Sequence, residues 1–297
     1  MRALLLALPL LLANTAAEDP PIPPTIKTML DAAIASGSEG DVAVIVKYAK
    51  AADPASADRV VKIASDWRND RIAKANRRIR EADFFDLVKG RAELGAYAST
   101  GNTQNIGLTA GVELRREALE WRHKLRLQAD YQESLSVVTR ERYLAAYEPN
   151  WKFDDRAYMY GAFQYESDRF SGFYDRVSLS SGAGYSAIRS PAVKLDVELG
   201  PAYRLTRFID DTRESNLAAR GSVDFGWKLS PGISVTQNAS AYLQDANSTV
   251  SSRSALLAKL FGPFSAQFSY TLQYESTPPI GRQTTDTTSR AALVVDF

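Results

Sequence analysis

The sequence predicts an all-β protein, an antiparallel transmembrane β-barrel of about 12 strands, preceded by a short α-helical periplasmic segment. Three observations support this fold class. An apolar leader stands at the start, a two-residue hydrophobic period runs from about residue 89 to the end, and short connections alternate with long ones. The predicted domains are a signal peptide at 1–17, a helical periplasmic segment with a proline-rich start at 18–88, and an outer-membrane β-barrel at 89–297.

The N-terminus has the features of a secretory signal peptide. Arg2 precedes an apolar run from Ala3 to Ala13, and small residues lead to a cleavage point after Ala17. The run is too short to span a bilayer as a helix, which takes about 20 residues. The alternative, a buried helix, would have to explain an apolar run at the extreme terminus. We therefore expect the mature chain to leave the cytoplasm.

The composition argues against several kinds of chemistry. With no Cys and a single His, the chain has no thiolate nucleophile, no disulfide and no transition-metal site above background, so no cofactor or metal is expected. The formal net charge of +1 gives no global field that would attract nucleic acid. No second apolar segment approaches the length of a transmembrane helix.

Residues 18–88 have helical periodicity, with apolar residues three and four apart at Val42, Ile45, Val46 and Ala49. The opening EDPPIPP predicts an extended linker, because proline cannot enter a helix interior. A further helix over 59–80 is strongly basic and would suit an anionic surface or a periplasmic partner. A solvated helix face is the commoner explanation of such a charge run, and both remain open.

From residue 89 onward the hydrophobic period is two, which a helix cannot use because it would scatter the apolar residues around its circumference. The predicted strands span 89–99, 104–116, 120–131, 140–152, 156–167, 175–187, 192–204, 215–229, 232–244, 249–260, 264–276 and 286–297. Strands of about ten residues or more exceed the usual five or six of globular sheets and match tilted membrane-crossing strands. A soluble β-sandwich is the main alternative.

The connections sort into two sets. Those after even-numbered strands are short, and those after odd-numbered strands are mostly longer, such as ESLSVVT at 133–139 and LTRFIDDTRE at 205–214. Outer-membrane barrels have short periplasmic turns and longer external loops, so we expect both barrel ends on the periplasmic side. Trp121, Trp151 and Trp227 then form one periplasmic aromatic girdle, a sorting that a soluble sandwich does not predict.

The polar face of each strand is expected to line the lumen. The predicted lumen-facing charges are Arg122, Lys124, Arg126, Asp130, Lys194, Asp196 and Glu198. Because acidic and basic residues are interleaved, these side chains should form mixed salt-bridge ladders. Two alternatives remain open: a narrow polar pore, and a barrel plugged by its own ladders.

The final segment SRAALVVDF predicts the closing strand. Phe297, Val295 and Leu293 should face lipid, and Asp296 should face the lumen. A last strand that ends on an aromatic residue resembles the β-signal that the outer-membrane assembly machinery reads, since an exposed strand edge suits templated pairing. The expected partners are therefore that machinery and outer-membrane lipids.

His123 is the only histidine and the only candidate catalytic base. A lipid-modifying enzyme would need a Ser–His pair on the outer face of the barrel. The strand phase places His123 on the lipid side near the periplasmic rim, and Leu125 stands two positions on, where a serine would be needed. We expect an interfacial histidine and no catalytic site.

Two stretches point to a family. GRAELGAYASTGNTQNIGLTAGVEL at 90–114 and the following EWRHKLRLQADYQ resemble the opening of the salt-induced outer-membrane protein family, whose function is unknown. The resemblance covers 89–297; it implies an outer-membrane barrel with a link to salt or osmotic stress and carries over no catalytic or ligand residues.

The sequence therefore predicts a non-enzymatic, porin-like protein of the Gram-negative outer membrane with a periplasmic N-terminal segment. Its expected activity is a narrow channel for ions or small solutes. Two alternatives stay open: a lipid-modifying outer-membrane enzyme, and a structural or interaction protein that acts through the basic helix at 59–80.

Overall fold

A computed structural model describes residues 20–100, 105–134, 137–245, 247–278 and 281–297. The signal peptide predicted at 1–17 lies outside the described residues. The chain divides into two compact units, Met1–Arg78 and Ile79–Phe297. In the part of the chain that is described, no helix is both long and apolar enough to cross a membrane.

The first unit contains two helices and all but the last three residues of a third. They are α1 at Pro24–Ser36, α2 at Glu39–Ala52 and α3 at Ala57–Glu81. Helix α1 ends at Gly37, whose φ of 74° is the left-handed conformation that glycine adopts without strain. Ser38 caps the start of helix α2, because its side-chain hydroxyl oxygen accepts a hydrogen bond from the Asp41 N–H at 3.2 Å. The helices share a small apolar core of Leu30, Ala33, Val42, Ala49, Val60 and Ala64.

The second unit is a closed antiparallel barrel of twelve strands in simple up-and-down order. The strands are β1 at Val88–Thr100, β2 at Asn105–Glu117, β3 at Trp121–Ser134, β4 at Val137–Lys152, β5 at Ala157–Asp168, β6 at Phe173–Arg189, β7 at Val193–Phe208, β8 at Arg213–Ser230, β9 at Ile233–Leu243, β10 at Thr249–Phe261, β11 at Phe264–Glu275 and β12 at Thr285–Asp296. The fold class predicted from the two-residue period is confirmed.

Strands β1 and β12 close the barrel. Their register places Arg91 opposite Asp296 and continues along both strands. The backbones of Gly90 and Phe297 exchange two hydrogen bonds, of 2.7 and 2.9 Å, beyond the last strand residue. The Phe297 ring covers Gly90 so closely that a Cβ at position 90 would lie 2.1 Å from it. A side chain at position 90 would therefore displace the Phe297 ring.

The barrel reverses the usual distribution of polarity. Large apolar side chains alternate along the outer face and remain exposed, including Leu199 at 69% and Leu217 at 80%. The inner face buries charged and polar side chains, among them Asp130, Glu166 and Arg290. A soluble β-sandwich would bury the leucines instead. An apolar outer surface around a polar interior is the architecture of a transmembrane β-barrel.

Two predicted loops are wrong, at 133–139 and 205–214. The strands that flank them extend beyond the residues in which apolar and polar side chains alternate. Strand β3 extends to Ser134 and β4 begins at Val137, so most of ESLSVVT is strand. Strand β7 extends to Phe208 and β8 begins at Arg213, so LTRFIDDTRE shrinks to a four-residue turn. Backbone pairing continues through polar residues, because the ladder hydrogen bonds do not depend on side-chain polarity. The other predicted strand ends differ from the observed ones by two residues or fewer.

The turn between β7 and β8 is held by its own side chains. The Thr212 N–H donates a hydrogen bond to Asp210 Oδ1 at 3.0 Å, and the Thr212 hydroxyl donates to the same oxygen. The Thr212 hydroxyl and backbone N–H lower the pKa of the Asp210 carboxyl. Asp211 adopts a φ of 65°, a left-handed conformation that Asp tolerates better than most residues.

Candidate functional site: an ion-pair network across the lumen

The inner face of the barrel carries ion pairs between strands that are not neighbours. In a closed barrel such pairs can form only across the interior. We call the set of these pairs and the side chains bonded to them the lumenal network. Its cross-lumen salt bridges are Arg122–Asp196 at 3.3 Å, Lys124–Asp224 at 3.3 Å, Arg220–Glu148 at 3.6 Å, Arg253–Glu93 at 3.2 Å, Arg253–Glu113 at 3.9 Å, Arg290–Asp130 at 2.5 Å and Arg176–Glu275 at 2.8 Å.

The network begins at the end of the barrel with the short β2–β3 and β4–β5 turns, which we call the short-turn end. Glu117 accepts hydrogen bonds from Arg122 at 2.9 Å and from Lys152 at 2.8 Å. Arg122 also reaches Asp196 on β7. At this level Arg122 on β3 therefore links the neighbouring strand β2 to β7 on the opposite wall of the barrel.

The second level centres on Lys124 and Arg220. The Lys124 ammonium lies 2.7 Å from Glu148. Arg220 lies 2.8 Å from Glu198, which also accepts a hydrogen bond from the Tyr158 hydroxyl at 3.1 Å. Because Arg220 on β8 also contacts Glu148 on β4, this level links five strands.

The third level pairs Arg126 with Glu113 at 3.0 Å and Arg253 with Glu93 at 3.2 Å. The Gln267 amide donates to the same Glu93 carboxylate at 2.8 Å. Glu93 on β1 is thus held from both β10 and β11. Each carboxylate at this level has at least one guanidinium partner.

The fourth level is built on Asp130, whose side chain is fully buried. It accepts hydrogen bonds from Arg290 at 2.5 Å and from the Thr109 hydroxyl at 2.7 Å. Arg142 lies 3.7 Å from Asp130 and 2.6 Å from Glu166, which extends the network to β5. Burial of the four charges at this level is tolerated because each is paired and hydrogen-bonded.

The level farthest from the short-turn end contains Arg176 and Glu275, which meet from opposite walls. Glu275 also accepts a hydrogen bond from the Asn247 amide at 3.0 Å. The lumen is therefore bridged by Arg–carboxylate and Lys–carboxylate pairs at successive heights. Both a narrow polar pore and a barrel plugged by its own ladders are compatible with this bridging, so the choice between them stays a hypothesis.

Six of the seven charges predicted to face the lumen take part in the network, namely Arg122, Lys124, Arg126, Asp130, Asp196 and Glu198. Lys194 is exposed near the short-turn end and forms no salt bridge with the described residues. Sequence reasoning missed Arg142, Glu166, Arg176, Arg204, Arg220 and Glu275. The same two-residue phase places these side chains inward, but their partners depend on the barrel's register.

The aromatic residues at the short-turn end lie on the outer face. Trp121 stands directly opposite Trp151 in the β3–β4 register, and Trp227 lies opposite Val193. All three indoles are exposed, which suits the membrane interface where an amphipathic ring is favoured. The closing residues Val295 and Leu293 share the outer face with Phe297, since they pair with Phe264 and Ala266 of β11.

His123 lies within this aromatic surface. Its ring is parallel to those of Trp121 and Tyr147, at centroid distances of 5.9 and 6.1 Å. Its Nδ1 is 2.9 Å from the Tyr147 hydroxyl. These contacts hold the His123 ring within the aromatic surface. Among the described residues no group of three or more His, Cys, Asp or Glu side chains could hold a metal ion.

A closed barrel with an apolar exterior and a charged interior defines the class of transmembrane β-barrel proteins. Within it, residues 92–297 match the family described as "Protein of unknown function, DUF481", and the chain belongs to this family. The chain is also 25% identical over 191 residues to the uncharacterized protein YdiY of Escherichia coli (strain K12). The matched segment covers 64% of this chain and 75% of that protein. The family description mentions no salt response, so the link to salt remains a hypothesis.

Several solved structures resemble the chain at low sequence identity. The NanC porin has a TM-score of 0.49 at 8% identity, over 69% of this chain and 98% of that one. The translocator domain of the autotransporter NalP from Neisseria meningitidis has a TM-score of 0.46 at 12% identity, over 78% and 96%. An outer membrane channel from Pseudomonas putida F1 has a TM-score of 0.43 at 9% identity, over 73% and 100%. Likeness at this level assigns no activity to the chain.

Proposed function

We propose that this chain is a non-enzymatic barrel protein of the Gram-negative outer membrane that forms a narrow channel for ions or small solutes, restricted by its lumenal network. The observation that carries the proposal is the set of cross-lumen ion pairs, from Arg122–Asp196 near the short-turn end to Arg176–Glu275 near the other. Ions passing through such a lumen would exchange partners with fixed charges of both signs.

The outer-membrane location is supported by the outer face. Leucines such as Leu199 and Leu217 would remain in contact with water in any other setting, at a cost of about 25 cal/mol per Å² of apolar surface. The tryptophans gathered at the short-turn end fit one membrane interface. Because β1 begins at that end, the helices before it would be periplasmic. The connections at that end have four residues or fewer, whereas the connection between β11 and β12, which spans nine residues, lies at the other end, as the rule of short periplasmic turns requires.

A channel explains the charged interior better than a purely structural plug. A buried ion pair contributes little net stability, because desolvation offsets the Coulomb attraction, and apolar packing of similar volume is often as stable or more so. A barrel selected only for rigidity would gain more from an apolar core. A lumen of paired charges instead leaves polar partners for water and ions along its length.

Planar-bilayer recording of the refolded full-length protein tests the proposal. We expect unitary steps of low conductance, because the ion pairs leave only narrow paths. A heat-denatured sample of the same preparation is the control and should give none. If the folded protein produces no steps above the lipid background at any applied voltage, the channel proposal is wrong.

The partners in this proposal are outer-membrane lipids around the leucine-rich face and the outer-membrane assembly machinery, which would read the terminal strand at Phe297. A periplasmic partner of the basic helix 59–80 is a second candidate role. It is favoured by one observation: α3 carries six exposed basic side chains from its middle to its end, at Arg68, Arg71, Lys74, Arg77, Arg78 and Arg80. Changing those six residues to Gln should abolish pull-down of the partner while leaving a heat-resistant barrel; unchanged pull-down would exclude this role.

The link to salt or osmotic stress enters the proposal only through the family resemblance. It predicts that the amount of this protein in the outer membrane rises when cells are moved to high salt. Quantitative immunoblotting of outer-membrane fractions measures this. Equal levels in low and high salt would remove the stress role and leave the channel proposal unaffected.

A further inference from the structure

One buried arginine of the barrel differs from the others in its partners. Among the described residues, six arginines of the barrel are buried. Five of them form salt bridges with carboxylates: Arg122, Arg140, Arg176, Arg220 and Arg290. The sixth, Arg204, is 4% exposed and forms no salt bridge with a described carboxylate.

The contacts of Arg204 are all with neutral groups. Its Nε donates to the Ser178 hydroxyl at 3.3 Å, and its Nη1 donates to the Thr249 hydroxyl at 2.8 Å. The guanidinium also lies over the Tyr242 ring, 4.2 Å from its centroid. Two hydroxyls and a ring face solvate the group but do not neutralise its charge.

The carboxylates that act on Arg204 electrostatically are Glu166 and Glu275. Both are already bonded: Glu166 to Arg142 at 2.6 Å and Glu275 to Arg176 at 2.8 Å. A guanidinium has five N–H donors, and only two of those of Arg204 are used by described residues. One positive charge therefore remains without a bonded counter-charge at this end of the lumen.

A second guanidinium lies beside it. In the β6–β7 register, Ser178 is opposite Arg204 and Arg176 is opposite Thr206, so the two arginines are diagonal neighbours on the inner face. Arg176 is 3% exposed, and its buried Nε has no hydrogen-bond partner. Of these two adjacent arginines only Arg176 is bonded to a carboxylate, Glu275, and both have N–H donors that no described residue accepts.

We propose that Arg204 and Arg176 form an anion site in the lumen, near the end opposite the short turns, that takes a small oxyanion of the carboxylate or phosphate class. A buried charge without a counter-charge is costly, and planar guanidinium groups match the paired oxygens of oxyanions. In a conducting barrel this site would make anions the favoured solutes. That part of the proposal, transport, rests on the proposed channel function. Binding itself does not depend on conduction.

Titration of inorganic phosphate into the refolded, detergent-solubilised full-length protein tests the site by isothermal calorimetry at constant ionic strength. We expect saturable binding of one phosphate per barrel in the wild type. Arg204→Gln should weaken it about tenfold or more, because the charge-assisted hydrogen bonds from the guanidinium to the anion are lost. The control Arg213→Gln removes a positive charge from the exposed outer face at the same end and should bind like wild type.

Two results would overturn the site: no saturable phosphate binding in the wild type, or equal binding in wild type and Arg204→Gln. Heat-modifiability on gels establishes that each variant is folded. If Arg204→Gln does not fold, Arg204→Lys replaces it, because lysine keeps the positive charge but lacks the planar pair of N–H donors of the guanidinium. The phosphate affinity of Arg204→Lys should still fall. Unchanged affinity in that variant would contradict the proposal. Titration with acetate separates a general oxyanion site from one selective for phosphate.

Reversal potentials in a planar bilayer test the transport part separately. Under a salt gradient, the wild type should favour anions, and Arg204→Gln should shift the reversal potential toward cations. An unchanged reversal potential together with intact phosphate binding would refute anion selectivity. A wild type that binds phosphate but shows no conductance would refute the channel proposal while retaining the site.

Discussion

The replacement of Asp130 by Asn is the sharpest perturbation of the lumenal network. Asp130 is fully buried and is the only described carboxylate bonded to Arg290, which lies 2.5 Å away across the lumen. Asp130→Asn keeps the size of the side chain and can still accept from the Thr109 hydroxyl. Arg290 then becomes a buried charge without a partner, whereas Arg142 retains Glu166.

Breaking a buried pair by removing one partner costs about 3–5 kcal/mol. We expect Asp130→Asn to lower the free energy of unfolding by about 3 kcal/mol, the lower end of that range, because the Thr109 hydrogen bond is retained. The double variant Asp130→Asn/Arg290→Gln removes both charges and should recover most of the loss, because a buried pair gains little over neutral groups. The coupling between the two positions should then be about 2 kcal/mol or more.

Reversible urea unfolding of the barrel in lipid vesicles measures these differences. The matched control is Asp175→Asn, which breaks the outer-face pair Asp175–Arg207 at the same separation of 2.5 Å. Because both of its partners are substantially exposed, the control should lose less than about 1 kcal/mol. A loss below about 0.5 kcal/mol for Asp130→Asn, or a double variant no more stable than the two single losses added together, would refute the cross-lumen pairing.

Three further predictions concern the outer face and the closing strand. Phe297→Ala or Gly90→Ala should reduce outer-membrane levels in cells, because each disturbs the Phe297 ring that covers Gly90 at the β1–β12 junction; unchanged levels in fractionated membranes would count against an assembly role for the terminus. Leu199→Arg should lower the free energy of unfolding in lipid vesicles by about 2–4 kcal/mol, the value for a cation that faces lipid near mid-bilayer. A loss near zero would mean that this face of the barrel contacts water rather than lipid. His123→Ala should leave any activity of the inserted protein intact, since the hydrogen bond and ring contacts of His123 are with Tyr147 and Trp121 on the outer face; lost lipid hydrolysis in outer-membrane extracts would instead support the enzyme alternative.

The sequence was sufficient for the barrel, its strand order and its two faces. Successive residues of a strand point to opposite sides of the sheet, so alternation in polarity indicates which face each side chain occupies. In β3, for example, the outward-facing residues Trp121, His123 and Leu125 alternate with the inward-facing residues Arg122 and Lys124. The terminal strand followed from the same pattern. Strand ends did not, since Arg213 and Ser134 continue the backbone ladder without continuing the apolar alternation.

The partners within the lumen could not be read from the sequence. Asp130 and Arg290 are 160 residues apart, and their contact depends on barrel closure and on the register of every strand between them. For the same reason the sequence does not distinguish Arg204 from the other inward-facing arginines. Its lack of a bonded carboxylate becomes visible only when Glu166 and Glu275 are found to be bonded elsewhere.

The most direct test of the central claim, that ion pairs across the lumen restrict a narrow channel, is the single-channel conductance of the wild type and of Asp130→Asn/Arg290→Gln. The double variant removes one cross-lumen pair and is expected to remain folded. We predict small unitary steps in the wild type and larger steps in the double variant, with Arg213→Gln unchanged from wild type. Equal conductance in all three proteins, or no conductance in any, would contradict the account.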